Sequence, residues 1–490
     1  MWRCQFAALR HDGIYRGRIP CHGLTMTQTV SLPLWVFVLI ILFAGVTFAS
    51  HFLFPSVRWF FRKRAERVIA RLNERLQRPI EPFKLARRYD MIQRLIYDPE
   101  VTQAIVDHAQ SEGIPENVAF EQAGRYAREI VPSFSATAYF SVGIRLARWL
   151  SKSLYRIKLG TFDRNRLEHI DPNATVIFVI NHRSNMDYVL VTYLASNAGA
   201  LSYAVGEWAR VWPLSTVIRA MGAYFIRRKS RGALYRRVLA RYVQMATRGG
   251  VSQAVFPEGG LSLTGKTAPP KLGLLNYVIE DFDPAKRDII FVPVALNYDR
   301  VLEDTFLIAA DKSGTRRFRP PFRTVLQGVA GHLWQRVTGR FKGFGVASVS
   351  FGEPLELSAF AAKTQGDLTQ AVAAELMQRV ADVIPVLGVP LVARHLLADG
   401  PMKVAALESA VASSITVCAA RKLPRPKRPV SAVVQDALGR LAARDLISEF
   451  PQGIAVTEEG RDVLAYYANT IAHHFAAPAE KTGENSAAAK

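Results

Sequence analysis

The chain has 490 residues and sets 63 Lys+Arg against 41 Asp+Glu, a formal net charge of +22. Its 49% apolar content excludes an intrinsically disordered protein, and its length allows several domain-sized units. Cys4, Cys21 and Cys418 form neither a metal-ligand spacing nor a disulfide framework, so neither a zinc module nor a cystine-stapled scaffold is expected. The charge points to phosphate-bearing partners, whether nucleic acid, lipid headgroups or small anions, without choosing among them.

Residues 1–30 form an N-terminal segment whose first 25 positions show no periodicity, and Met26 stands just before an apolar run, so it is the expected start of the native protein. From Ser31 to Val57 no Asp, Glu, Lys or Arg occurs in 27 consecutive positions. That length predicts a transmembrane helix, which needs about 20 apolar residues. Arg58, Arg62, Lys63, Arg64, Arg67, Arg71, Arg75, Arg78, Lys84, Arg87 and Arg88 follow, against Glu66, Glu74 and Glu81. The positive-inside rule then predicts a single-pass protein of the inner (plasma) membrane with everything after the anchor in the cytoplasm. Residues 58–159 read as a basic helical region beside an anionic leaflet, with Val68, Leu72 and Leu76 and later Val142, Leu146 and Trp149 at helical spacing.

Over 160–360 short apolar runs alternate with helical segments: Thr175 to Ile180, Ala254 to Phe256, Asp288 to Leu296 and Ala347 to Phe351, with Arg231 to Thr247 helical. The alternation predicts an α/β domain whose largely parallel sheet is covered on both faces, with its site at the carboxyl ends of strands. Residues 361–420 read as helical. Two prolines make Arg421 to Arg428 a linker, opening a module over 421–477 in which Ser431 to Leu446 is helical, Ser448 to Thr457 a hairpin and Glu458 to Phe475 helical. Residues 478–490 are small and polar, the composition of a tail.

Four polar blocks fall where strands end. The first, Asn181-His182-Arg183-Ser184-Asn185-Met186-Asp187, sets an imidazole and a carboxylate five positions apart. On a regular helix they would diverge by about 140°, so they meet only if His182 precedes the helix. Asp187 can then fix one ring nitrogen and leave the other as a base for an alcohol proton. Ala223-Tyr224-Phe225-Ile226-Arg227-Arg228 offers two guanidiniums suited to a phosphate. The third block runs from Phe256 through Glu258, Gly259 and Gly260 to Lys266, and the fourth runs from Val292 through Pro293 to Arg300.

In this order the blocks resemble the motifs of the glycerolipid acyltransferase family, the glycerol-3-phosphate acyltransferases in particular. Val349-Ser350-Phe351-Gly352-Glu353-Pro354-Leu355 and Tyr466 to Phe475 extend the likeness. The resemblance implies a helix-covered mixed sheet and an enzyme that moves a fatty acyl group from acyl-CoA or acyl carrier protein to the sn-1 hydroxyl of glycerol 3-phosphate, giving lysophosphatidate. It makes His182 the base and Asp187 its orienting partner. It assigns Arg227, Glu258 and Gly259 to the phosphate-bearing acceptor, with Arg228, Gly260 and Lys266 beside them, and Pro293 to the acyl donor. It implies no metal or other cofactor. Family members often carry arginines after Glu-Gly-Gly, whereas Leu261 and Leu263 stand here, so Arg227, Arg228 or Lys266 must replace them. 1-Acylglycerol 3-phosphate and dihydroxyacetone phosphate are the alternative acceptors.

Two other motifs are present. Gly260 to Thr267 satisfies G-x-x-x-x-G-K-[ST], the phosphate loop of nucleotide hydrolases, but Pro269 and Pro270 lie where its helix should begin. The helix, hairpin, helix order after residue 429 could be a membrane-tethered DNA-binding module, yet Ser431 to Leu446 offers few base-reading side chains, and no nucleic-acid partner is expected.

Overall fold

The computed structural model describes residues 33–161, 169–194, 199–206, 210, 214–227, 232–314 and 343–476, without the side chains of 49–58, 61, 62 and 65. The expected start at Met26, the tail and Arg228 lie outside these. The chain divides into two units, 1–68 and 69–490.

The first described helix is Leu34–Asn73. Its described apolar side chains, 34–48, are almost all exposed. Among the described residues no helix is long and apolar enough to cross a membrane. The expected transmembrane helix is therefore not supported by the described residues.

The second unit is built on a mixed sheet in the order β1 (Arg156–Leu159), β7 (Val346–Phe351), β6 (Ile289–Tyr298), β2 (Thr175–Ile180), β5 (Gln253–Val255), β3 (Ser202–Gly206) and β4 (Tyr224–Ile226), with β8 (Leu355–Glu356) also on β6. Strands β6, β2, β5, β3 and β4 are parallel, whereas β7 and β8 run antiparallel to β6, and β1 runs parallel to β7. Every residue of β2 and β6 is buried, as expected where helices cover both faces. Val176, Phe178 and Ile180 point to one layer, packed by the helices Gly388–Ala398, Val430–Ala442 and Glu458–Asn469. Ile177 and Val179 point to the other, packed by Pro99–Glu112, Glu116–Ile130, Ala233–Arg248 and Leu368–Asp382.

Beyond residue 420 the helix Val430–Ala442, the hairpin β9 (Ile447–Phe450) with β10 (Gly453–Val456), and the helix Glu458–Asn469 share one core with β6 and β7. Arg421 to Arg428 has no regular structure, but it is held against the core: Pro424 is buried and its carbonyl accepts from the Val386 N–H (2.8 Å). Val433, Val434, Ala437 and Leu441 bury one face of the helix that a DNA reading would need for docking. The phosphate-loop reading also fails. No helix starts at Lys266, and the next one runs Gly273–Ile279.

His474 closes this end, its Nε2–H donating to the Ile384 carbonyl (2.9 Å). Burial pushes its pKa below the ordinary histidine value. Below about pH 6.5 the unfolded chain therefore binds a proton that the folded chain refuses, so stability falls as pH falls through that value. His474→Gln keeps a donor for Ile384 and should flatten the plot of urea midpoint against pH between about 7 and 5. An unchanged slope would assign the dependence to other groups.

Candidate active site

The site grows from the way β2 ends. Asn181 spans to β6 with its side chain, accepting from the Leu296 N–H (2.7 Å) and donating to the Leu296 carbonyl (3.0 Å), which prolongs strand pairing by one residue. The chain then turns, and the helix Met186–Leu194 begins, so His182 does precede it. Asp187 in its first turn folds back. Its Oδ2 accepts from the His182 ring Nδ1 (2.9 Å), the Arg183 N–H (2.7 Å) and the Ser184 N–H (3.0 Å), while Oδ1 accepts from the Tyr298 hydroxyl (2.6 Å).

An acceptor-only carboxylate on Nδ1 fixes the proton there and leaves Nε2 with its lone pair. Among the described residues Nε2 has no hydrogen-bond partner. The ring lies 4.3 Å from Phe256 and 5.4 Å from Tyr188, centroid to centroid, and is only 2% exposed. Tyr298, the last residue of β6, has its hydroxyl pKa driven well up by burial and then by Asp187, so it stays a proton donor to that carboxylate. Glu303 accepts from the Ser184 hydroxyl (2.7 Å), the Asn185 N–H (3.2 Å) and the Asn185 amide (3.0 Å), and burial raises its pKa.

Glu258 joins the third block to the first. Its Oε1 accepts from the His182 N–H (2.8 Å) and its Oε2 from the Ala268 N–H (2.9 Å), while the Ser262 N–H donates to the His182 carbonyl (2.9 Å). Both carboxylate oxygens thus bond the backbone, in a residue that the resemblance assigns to the acceptor. Gly259 turns with φ +66°, and Lys271 lies along it where a side chain would stand. Gly260 is buried and Lys266 exposed. Leu261 and Leu263 pack against the core, which accounts for apolar residues at those positions.

The second and fourth blocks differ from expectation. Arg227 forks onto Glu129 (2.6 to 3.1 Å) and leaves β4, three strands from β2 or about 14 Å in strand spacings, so it is not part of the His182 cluster. Pro293 is buried within β6 opposite Val179. Its missing N–H falls where β7 gives way to β8, and its carbonyl accepts from the Gly352 N–H (2.8 Å). It is a sheet residue away from the strand end.

Sequence reasoning missed Arg183, Tyr298 and Glu303. Arg183 is buried next to His182 in the chain, donating to the Gly265 carbonyl and to the Thr267 hydroxyl (3.4 Å), with its Nε unbonded and no carboxylate partner among the described residues. Tyr298 stood in the fourth block as a clear signal; Glu303, a few residues on, carried none. The C-terminal helix seals the same loop, since the Asn469 amide donates to the Thr264 carbonyl (2.9 Å). Among the described residues no group of three or more His, Cys, Asp or Glu could hold a metal ion.

A histidine fixed by an aspartate across a strand-to-helix turn, at the carboxyl edge of a mixed sheet, is an arrangement that can take a proton from a hydroxyl group. Residues 162–297 match the family model described as Acyltransferase, and residues 333–480 match the Glycerol-3-phosphate acyltransferase C-terminal region. The chain is similar to the glycerolipid acyltransferases over both of these regions, where its motifs lie. It is 30% identical over 426 residues to the glycerol-3-phosphate acyltransferase of Pseudomonas paraeruginosa, covering 81% of this chain and 49% of that one. It is 30% identical over 425 residues to that of Pseudomonas putida, covering 81% and 50%. It spans about half the length of these relatives. The crystal structure of the 1-acyl-sn-glycerophosphate acyltransferase of Thermotoga maritima matches with 19% identity and a TM-score of 0.31, over 49% of this chain and 76% of that one.

Alanine at Gly265 tests the sealed loop. Gly265 has φ +82°, and a Cβ there would collide with the Tyr466 carbonyl, so Gly265→Ala should cost about 2 to 4 kcal/mol in urea unfolding. Gly273→Ala, with open space at a helix start, should change stability by less than about 1 kcal/mol.

Proposed function

We propose that the chain transfers a fatty acyl group from the thioester of coenzyme A or acyl carrier protein to the sn-1 hydroxyl of glycerol 3-phosphate, releasing lysophosphatidate and a free thiol. The observation that carries this is the buried His182–Asp187 pair (2.9 Å) with its Nε2 unbonded, and the names of the relatives support it.

Nε2 takes the hydroxyl proton as the oxygen bonds to the thioester carbonyl carbon. The tetrahedral intermediate then expels the thiolate, which recovers that proton from the imidazolium. Asp187 stabilises the imidazolium between these steps, and no covalent acyl-enzyme, metal or cofactor is needed. The oxyanion cannot rest on the His182 turn: the N–H groups of residues 182 to 186 already donate to Glu258, Asp187, Glu303 and the Ser184 hydroxyl. The Gly260 and Leu261 N–H groups, which make no hydrogen bond among the described residues, are the backbone donors we assign to it. Lys266 and Lys271, on the loop that Glu258 ties to His182, would hold the acceptor phosphate in place of Arg227.

We place the reaction at the cytoplasmic face of the inner membrane. The uncharged run continues in the sequence to Val57, past the described side chains, and the basic residues 58–88 complement an anionic leaflet.

Purified full-length protein in detergent, supplied with each donor and with glycerol 3-phosphate, dihydroxyacetone phosphate or 1-acylglycerol 3-phosphate, should release thiol fastest with glycerol 3-phosphate. His182→Ala should lower kcat by at least about 100-fold. Full activity in that variant would overturn the mechanism, and preference for another acceptor would overturn the substrate.

Tyr298→Phe removes one of the four hydrogen bonds on Asp187 and should slow kcat about tenfold, near 1.4 kcal/mol, with KM little changed. A change confined to KM would remove Tyr298 from the proton-handling chain.

A further inference from the structure

From Val131 to Thr161 the sequence holds no Asp or Glu and five cations, Arg145, Arg148, Lys152, Arg156 and Lys158. The helical segment 138–154 lies within it. Ile144, Ala147 and Ser151 are buried, and the helix packs against Met186–Leu194, which carries Asp187. Its outer surface is apolar where a solvated helix would be polar: Val142 is 63% exposed, Leu146 52% and Trp149 55%. At 100° per residue these three share an arc of about 60°, and Arg145, Arg148 and Lys152 form the adjoining stripe. A shallow cavity of about 350 Å³ opens over Arg145, Arg148, Trp149, Lys152 and Ser153. The helix Leu214–Ala220 widens the patch, presenting exposed Leu214 and Val217, and Met221 just beyond it abuts Gly143.

We propose that this face docks on the surface of a bilayer containing anionic phospholipid. Val142, Leu146 and Trp149 enter the interface, while Arg145, Arg148 and Lys152 hold headgroup phosphates, the pattern of an interfacial amphipathic helix. A second copy or an acidic protein fits less well. A copy would bring its own cations against these, and an acidic protein gives no reason for three large apolar side chains beside the basic stripe. Docking sets the helix of Asp187 one layer behind the membrane surface. The inference does not depend on the acyl acceptor or on how residues 31–57 behave.

The test uses full-length protein with Cys4→Ser, Cys21→Ser and Leu146→Cys, carrying a nitroxide at 146 while Cys418 stays buried. Lys363→Cys in the same background, at an exposed site, is the reference. In phosphatidylglycerol/phosphatidylethanolamine vesicles, oxygen should relax the label at 146 several-fold more than an aqueous nickel chelate does, with the order reversed at 363. Adding Arg145→Glu and Lys152→Glu should remove the excess at 146. Equal access of the nickel chelate to 146 in vesicles and in detergent would overturn the proposal, as would spin–spin broadening from a second copy. Thiol release by Leu146→Glu in detergent should match the parent, so loss of lipid contact and failure of the proposed reaction are read separately.

Discussion

Asp187 is the constraint on which the rest of the site depends. A carboxylate that is fully buried is tolerable only if its oxygens are satisfied, and its four donors come from the imidazole, two turn amides and a tyrosine at the end of another strand. Satisfying it fixes the turn after β2, the start of the next helix and the exit of β6 at once. The His182 ring is oriented as a by-product of that neutralisation. Glu303 does the same for the outer side of the turn, so the loop that carries His182 has little freedom left.

Around this point the C-terminal third of the chain is structural to the site. Arg444 and the Tyr467 hydroxyl both reach Asp304 just past β6 (2.7 and 2.6 Å), the Asn297 amide donates to Thr470 (3.2 Å), and Asn469 holds the loop after Glu258. The described parts of the two matched family regions, 162–297 and 333–480, thus share one core.

Legibility in the sequence followed burial and separation. Strands β2, β5, β6 and β7 were readable because double burial demands uninterrupted apolar runs, and the His182–Asp187 pair because its partners are five residues apart. Strand β1, with Arg156 and Lys158 on an exposed edge, and β4, three residues long, carry no such run. Arg227 looked free to bind phosphate because Glu129 lies 98 positions away. Glu258 looked like a ligand-binding carboxylate because backbone donors leave no trace in a sequence. The apolar span before residue 58 was legible in composition, while among the described residues no helix is long and apolar enough to cross a membrane.

With every amide of the His182 turn already engaged, the proposed reaction puts the group that takes the proton and the groups that meet the developing negative charge on different loops, after β2 and after β5. These strands are paired over three residues, Ile177 to Val179 against Gln253 to Val255, and beyond them the loops are bridged by Glu258 across 76 positions of sequence. The spacing between acid–base chemistry and charge stabilisation is then a property of strand register. Small strains in that short ladder would be felt as a change in rate before any change in stability.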